Sequence, residues 1–186
     1  MVYGGTAYAY TVDSDFESVK GSQEFWQQAI DAFYAKYTGW ASWHDDIYRF
    51  VCKHGYLLLP TGRKFIYTPN LRRGVLEYNR PDILNYPVQG TGADLVCIAR
   101  KLAYDGLRKQ RLKSKLVATV HDSLLTDGPK EEAYQVGRIL KESIEATPKR
   151  FSEIFDVNFD LPLTGEVEIG YNYKDMQDIT KELYAN

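Results

Sequence analysis

Two side chains able to do metal and phosphate chemistry stand next to each other at His121-Asp122. They sit between two short apolar runs, residues 116–120 and 124–126, with Ser123 completing the polar step. Both runs are rich in strand formers, so the segment predicts a tight antiparallel hairpin with a carboxylate at its turn. A rigid hairpin that holds an aspartate beside a histidine can place a divalent metal next to a phosphate, because hard cations take carboxylate oxygens. The same residues also suit a plain turn, since Asp and Ser bond their own backbone and short motifs recur freely.

A second pair of polar side chains lies upstream. Asn85 and Gln89 are amides four residues apart near a predicted helix start. They could both face a groove and donate to minor-groove acceptors, which every correctly paired base presents alike. Capping or surface amides would use the same spacing. Between this pair and the hairpin, Arg108, Lys109, Arg111, Lys113 and Lys115 put five cations into eight residues. They read either as a phosphate-tracking patch or as a solvated helix end whose charges complement the macrodipole.

The elements that must position these groups can be read from periodicity. Phe25, Ala29, Phe33 and Tyr37 recur every four residues from Gln23 and predict a helix ended by Gly39. Trp40, Trp43, Ile47, Phe50 and Val51 predict a second helix, closed by Gly55 as its C-terminal cap. Residues 56–59 and 64–67 flank Pro60-Thr61-Gly62 as a hairpin, and residues 68–82 read as loop. A long helix is expected to start at Pro87 and run to about Arg111. After the 116–126 hairpin, another helix begins beyond Pro129, with Glu131 and Glu132 in its positive first turn, and stops before Pro148. The alternation of Glu166-Val167-Glu168-Ile169 predicts a half-buried strand. Strands come in hairpins rather than crossovers, which gives an α+β fold: a small antiparallel sheet with packed helices.

Composition bounds the function classes. The chain has 186 residues with 44% hydrophobic and 26% charged, values of an ordinary globular protein with room for one sizeable domain. A net charge of −2 gives no global basic field, so any affinity for nucleic acid must rest on local patches. Cys52 and Cys97 lie far apart without metal-ligand spacing and read as reduced core cysteines of a cytosolic protein. No basic-then-apolar leader and no apolar run approaching 18 residues is found, which argues against secretion and membrane spanning.

The residues from Asn85 through Leu95, including Pro87, Gln89, Gly90 and Thr91, closely resemble the segment before the last catalytic motif of family A DNA polymerases, the DNA polymerase I group. Val120-His121-Asp122 resembles that family's final palm motif, a strand-turn-strand ending in His-Asp. Pro60-Thr61-Gly62-Arg63 resembles its Gly-Arg hairpin, and Tyr3-Gly4 the end of its nucleotide-binding fingers helix. Residues 166–170 resemble the closing strand, and residues 3–10 look most like polymerases of bacterial viruses. Order and spacing agree across essentially the whole chain.

The resemblance implies a palm-and-fingers fold, with residues 1–55 as distal fingers helices and 56–186 as the C-terminal part of the palm. It implies template-directed addition of dNTPs to a primer 3′-hydroxyl, on a primer-template DNA, with a pair of Mg²⁺ ions. Asp122 would be one of two metal-binding aspartates, and His121 would touch the primer terminus or its phosphate. Asn85 and Gln89 would read the minor groove, Tyr3 would line the nucleotide pocket, and Arg63 would approach the duplex backbone. The chain departs from the pattern at Ser123, where a glutamate is usual, and at Tyr173, where a tryptophan is common.

The family's first metal aspartate and its triphosphate-gripping Arg and Lys lie upstream of the tyrosine, and Met1 stands only two residues before Tyr3. The expectation is therefore a fragment or split-gene product, inactive alone and needing an upstream partner that carries those residues. A truncated palm would also expose sheet edge and apolar surface, which predicts self-association. The expected compartment is the cytoplasm, the host's if the chain is viral. A non-catalytic module that binds duplex nucleic acid or a protein is the alternative.

Overall fold

Two helix starts in the first third of the chain are set by capping hydroxyls. The computed structural model describes residues 5–72 and 74–184. Thr6 Oγ1 accepts the Ala9 N–H at 3.2 Å and opens α1 (Ala7–Val12); a 3-10 helix, Ser14–Val19, follows. Ser22 Oγ caps α2 (Gln23–Lys36) in the same way, from the Phe25 N–H at 3.2 Å. The rings of Tyr10, Phe16 and Trp26 meet at 5.3–5.4 Å over Ala7 and Ile30, and this aromatic cluster is the local core. α2 ends at Tyr37 rather than at Gly39, because Tyr37 leaves helical geometry (φ −113°, ψ 65°). Gly39 instead lies in the first turn of α3 (Thr38–His54), facing open space. Gly55 (φ +74°) caps α3 as expected, its N–H on the Val51 carbonyl at 2.7 Å.

β1 (Tyr56–Leu58) and β2 (Lys64–Ile66) form the expected hairpin, with Tyr56 opposite Ile66 and Gly62 at φ +83° in the turn. The segment 68–82, expected as loop, holds a second hairpin, β3 (Asn70–Arg72) with β4 (Val75–Glu77), and Gly74 at φ +80° between them. Each strand has three residues, and β4 is exposed throughout, so no in-out alternation betrays it.

The long helix α4 (Arg80–Lys109) starts seven residues before Pro87, which therefore sits inside it. Pro87 cannot donate to the Ile83 carbonyl, a defect worth about 3 kcal/mol in an exposed helix. Ile83 and Leu84 are 0% and 1% exposed, and burying them returns about 1.5–3 kcal/mol each. Burial wins, and the helix extends through the proline.

β5 (Lys115–Val120) and β6 (Ser123–Asp127) pair antiparallel with Val120 opposite Ser123, which leaves His121-Asp122 as a two-residue turn. The register shifts by one between Leu116 and Ala118, a bulge at Val117. A 3-10 turn, Lys130–Glu132, leads into α5 (Ala133–Phe155), which runs through Pro148 instead of stopping before it. Phe151, 2% exposed, packs its ring against Phe155 (4.9 Å) and Phe159 (5.2 Å), so the last two turns have a core of their own. Ser143 and Thr147 donate back to the carbonyls of Ile139 (2.6 Å) and Ser143 (2.8 Å) and keep their buried hydroxyls satisfied.

β7 (Glu168–Ile169) pairs with β8 (Gln177–Asp178), so only half of the expected 166–169 strand is laddered. Val167, Ile179 and Leu183 pack together, and a Cβ on Gly137 of α5 would lie 2.9 Å from Val167 Cγ1. Helices packed with four two-stranded antiparallel sheets among the described residues make the fold α+β, as the sequence predicts. The chain divides into two compact units, residues 1–90 and 91–186. Cys52 and Cys97 are free but exposed, which corrects the expectation that they are core residues. Among the described residues, no helix is long and apolar enough to cross a membrane.

Candidate functional site

The β5–β6 turn presents its two chemical side chains to solvent. His121 has φ +52°, a left-handed backbone that histidine enters more readily than most residues but at a cost of about 1–2 kcal/mol. A strained residue between two paired strands fixes the direction in which the neighbouring aspartate projects. His121 and Asp122 are both exposed, and neither side chain has a hydrogen bond or ion pair among the described residues. No group of three or more His, Cys, Asp or Glu close enough to hold a metal occurs among the described residues. Asp122 thus offers one carboxylate. That fits a share in a Mg²⁺ site, since Mg²⁺ keeps several waters and takes one or two carboxylates plus substrate phosphates rather than an all-protein cage. It does not fit a site made by this turn alone.

The other predicted residues gather where the β1–β2 hairpin meets the first turns of α4. Gly90 is buried there, and a Cβ on it would lie 2.6 Å from Phe65 Cζ and 3.3 Å from Arg63 Cδ. The missing side chain lets the hairpin press onto the helix, which brings Arg63 against the turn that carries Gln89. Phe65 meets Tyr86 at 5.8 Å, and Tyr67 stacks on Tyr86 at 6.0 Å and 21°. Gln89 is exposed. Asn85, one turn earlier, keeps its side-chain oxygen buried without a partner, and so does the Tyr67 hydroxyl. Burial pushes the Tyr67 phenol up to about 12, helped by Tyr86 and Asp82, so it stays a neutral donor. The arrangement offers a cation, an exposed amide and two unsatisfied polar atoms within one hairpin–helix contact.

The structure therefore brings Arg63 beside the Gln89 turn and sets Asn85 one turn away, all within residues 1–90. His121 and Asp122 belong to the unit of residues 91–186. Tyr3 lies outside the described residues. Sequence reasoning missed Gly90 and Tyr67 as positioning residues. A glycine inside a helix costs about 1 kcal/mol against alanine, and that signal pointed to a close approach at residue 90. Tyr67 left no signal among 15 tyrosines. Glu132 lies, as the sequence predicts, in the first turn of the helical segment after Pro129, the 3-10 turn that leads into α5. The sequence did not reveal its second role: its carboxylate accepts from the Lys113 N–H (3.0 Å), the Ser114 N–H (2.9 Å) and the Ser114 hydroxyl (2.6 Å).

The protein resembles DNA polymerase I of Chloroflexus aurantiacus (26% identity over 183 residues, 96% of this chain and 18% of that protein). It is similar to the DNA polymerase of Bacillus phage SP01 (27% over 184 residues, 98% and 20%). The chain thus spans about a fifth of the curated relatives it matches. In fold it resembles the POL domain of Pol1 from M. smegmatis, solved in complex with DNA primer-template and dNTP. The TM-score is 0.68 at 23% identity, covering 87% of this chain and 26% of that one. The model of DNA polymerase family A matches residues 1–175, and the chain belongs to that family.

Proposed function

We propose that this chain supplies part of the catalytic centre of a template-directed DNA polymerase that adds dNTPs to a primer 3′-hydroxyl. The observation that carries the reading is the exposed, unpartnered Asp122 on a stiff two-strand turn, in a chain whose family match runs from residue 1 to 175. Residues 1–55 would form distal fingers and 56–186 the C-terminal part of the palm. Asp122 would be one of two carboxylates that hold Mg²⁺, and His121 would orient the primer terminus. Asn85 and Gln89 would hydrogen-bond the minor groove of the new base pair, Arg63 would bind the duplex backbone, and Tyr3 would line the nucleotide pocket. Bound Mg²⁺ supplies activation of the attacking hydroxyl and charge neutralisation of the leaving pyrophosphate.

One carboxylate is too few for two hard cations, so a polymerase piece with the second aspartate and a fingers Lys and Arg is required as partner. The whole would act in the cytoplasm, on primer-template DNA. Alone, the chain is expected to be inactive. Primer extension with Mg²⁺ by the chain, by such an upstream piece and by their mixture tests the reading. Extension is expected only in the mixture and is lost with Asp122→Ala. Robust extension by the chain alone overturns the two-piece reading. A folded mixture that does not extend favours a non-catalytic binding module.

A further inference from the structure

The loop that joins α4 to β5 carries charge that the polymerase reading leaves unused. Arg108, Lys109, Arg111, Lys113 and Lys115 provide five cations with no acidic residue among residues 106–115, in a chain whose net charge is −2. None of the five is in an ion pair among the described residues, whereas Lys101, one helical turn before Asp105, is neutralised by it. A helix C-terminus attracts cations over its last turn only. Lys113 and Lys115 lie beyond that reach.

The loop is also held rigid. The Leu112 N–H bonds the Leu107 carbonyl at 3.1 Å and the Arg111 N–H bonds the Arg108 carbonyl at 3.0 Å, a Schellman ending sealed by Leu112 against Leu107. Arg111 occupies the left-handed position of that ending, φ +56°, where glycine is the unstrained choice. The next bend is pinned by the Glu132 carboxylate on the Lys113 and Ser114 N–H groups and the Ser114 hydroxyl. Arg108 lies against Tyr104, 5.7 Å from its ring centre, with Nη1 donating to its hydroxyl at 3.4 Å. Cations are thus presented from fixed backbone, one of them at a conformational cost.

Their place on the hairpin separates them from the catalytic turn. Lys115 pairs opposite Asp127 at the open end of β5–β6, and five residue steps of strand, roughly 17 Å, separate it from Val120 beside the turn. Residues 108–115 therefore lie away from the group that Asp122 would serve. Clustered point charges without a row of aromatic platforms suit the phosphates of a duplex rather than the bases of a single strand.

We propose that residues 108–115 form a second DNA contact, a surface that tracks the phosphate backbone of duplex DNA away from the catalytic end of the hairpin. The choice of nucleic acid over an acidic protein rests on the polymerase reading; the surface itself rests on the charges and the loop. The test uses the full chain and a labelled blunt duplex of about 20 base pairs, with binding followed from about 50 to 200 mM KCl. Each phosphate contact contributes about 0.9 to the slope of log affinity against log salt. The triple variant Arg111→Gly/Lys113→Gln/Lys115→Gln is expected to reduce that slope by about 2 to 3 and to weaken binding at least tenfold at the lower salt. Arg111→Gly alone is expected to keep or raise the melting temperature while lowering the slope by about 1, which separates contact from folding.

An unchanged slope in the triple variant overturns the proposal, whatever primer extension shows. So does tighter binding to the single strand than to the duplex, or binding to polyglutamate with none to DNA. If the slope falls as expected but the two-piece extension assay fails, the polymerase reading is lost and this surface stands.

Discussion

Adding one methyl group at Gly90 measures how closely the β1–β2 hairpin must approach α4. Alanine improves a helix by about 1 kcal/mol over glycine. Its Cβ, however, would stand 2.6 Å from Phe65 Cζ, and such overpacking costs about 1–3 kcal/mol. Gly90→Ala is therefore expected to lower stability by up to about 2 kcal/mol, read from the midpoint of urea unfolding. It should also weaken duplex binding, because Arg63 leaves the Gln89 turn. At Asp122 the expectation is opposite in kind. The side chain is exposed and unpartnered, so Asp122→Ala should leave the unfolding midpoint within about 0.5 kcal/mol of wild type while extension by the two-piece mixture is lost.

Elements in this chain persist where burial outweighs local preference. α5 continues through Pro148 because Phe151 and its ring partners have a core to fill. Phe151→Ala is expected to cost about 3–5 kcal/mol and to fray the helix beyond Pro148, seen as lost circular-dichroism amplitude together with a lower melting temperature. The α4–β5 connection depends on one carboxylate. The Ser114 hydroxyl, then the backbone N–H groups of Lys113 and Ser114, hold the Glu132 carboxyl below its ordinary value. A depressed folded-state value means that this stabilisation is fully present above the unfolded carboxyl range, near pH 4.5, and is lost as pH falls through the folded value. Glu132→Gln should flatten the acid limb of the stability–pH curve below about pH 5, and an unchanged limb would remove Glu132 from this role.

At the scale of the whole molecule, the described residues leave apolar side chains in water. Leu58 and Ile66 of the first hairpin, and Leu71, Val75 and Leu76 of the second, are more than half exposed. β5 and β6 pair with no third strand among the described residues, which leaves hydrogen-bonding edges open. Self-association of the isolated chain is the expected result. Light scattering should show a mass above that of one 21.4 kDa chain, shifting with concentration, and a clean monomer at all concentrations would contradict it.

The sequence by itself determined the hairpin at 116–126, the Gly55 cap, the α+β class and the family. Each of these is carried by local periodicity, by turn chemistry or by the order of short motifs. It could not place the ends of α4 and α5. Pro87 and Pro148 signal a break, and only the burial of Ile83, Leu84 and Phe151 in the folded chain overrides them. It could not find β3–β4 either, since exposed three-residue strands leave no pattern. Tertiary structure alone decided that Gly90 admits the Arg63 hairpin and that Glu132 pins the basic loop. It also left Asp122 outside any group of three or more metal-ligating side chains among the described residues. Those facts depend on which groups meet in space, and spacing along the chain does not encode that meeting.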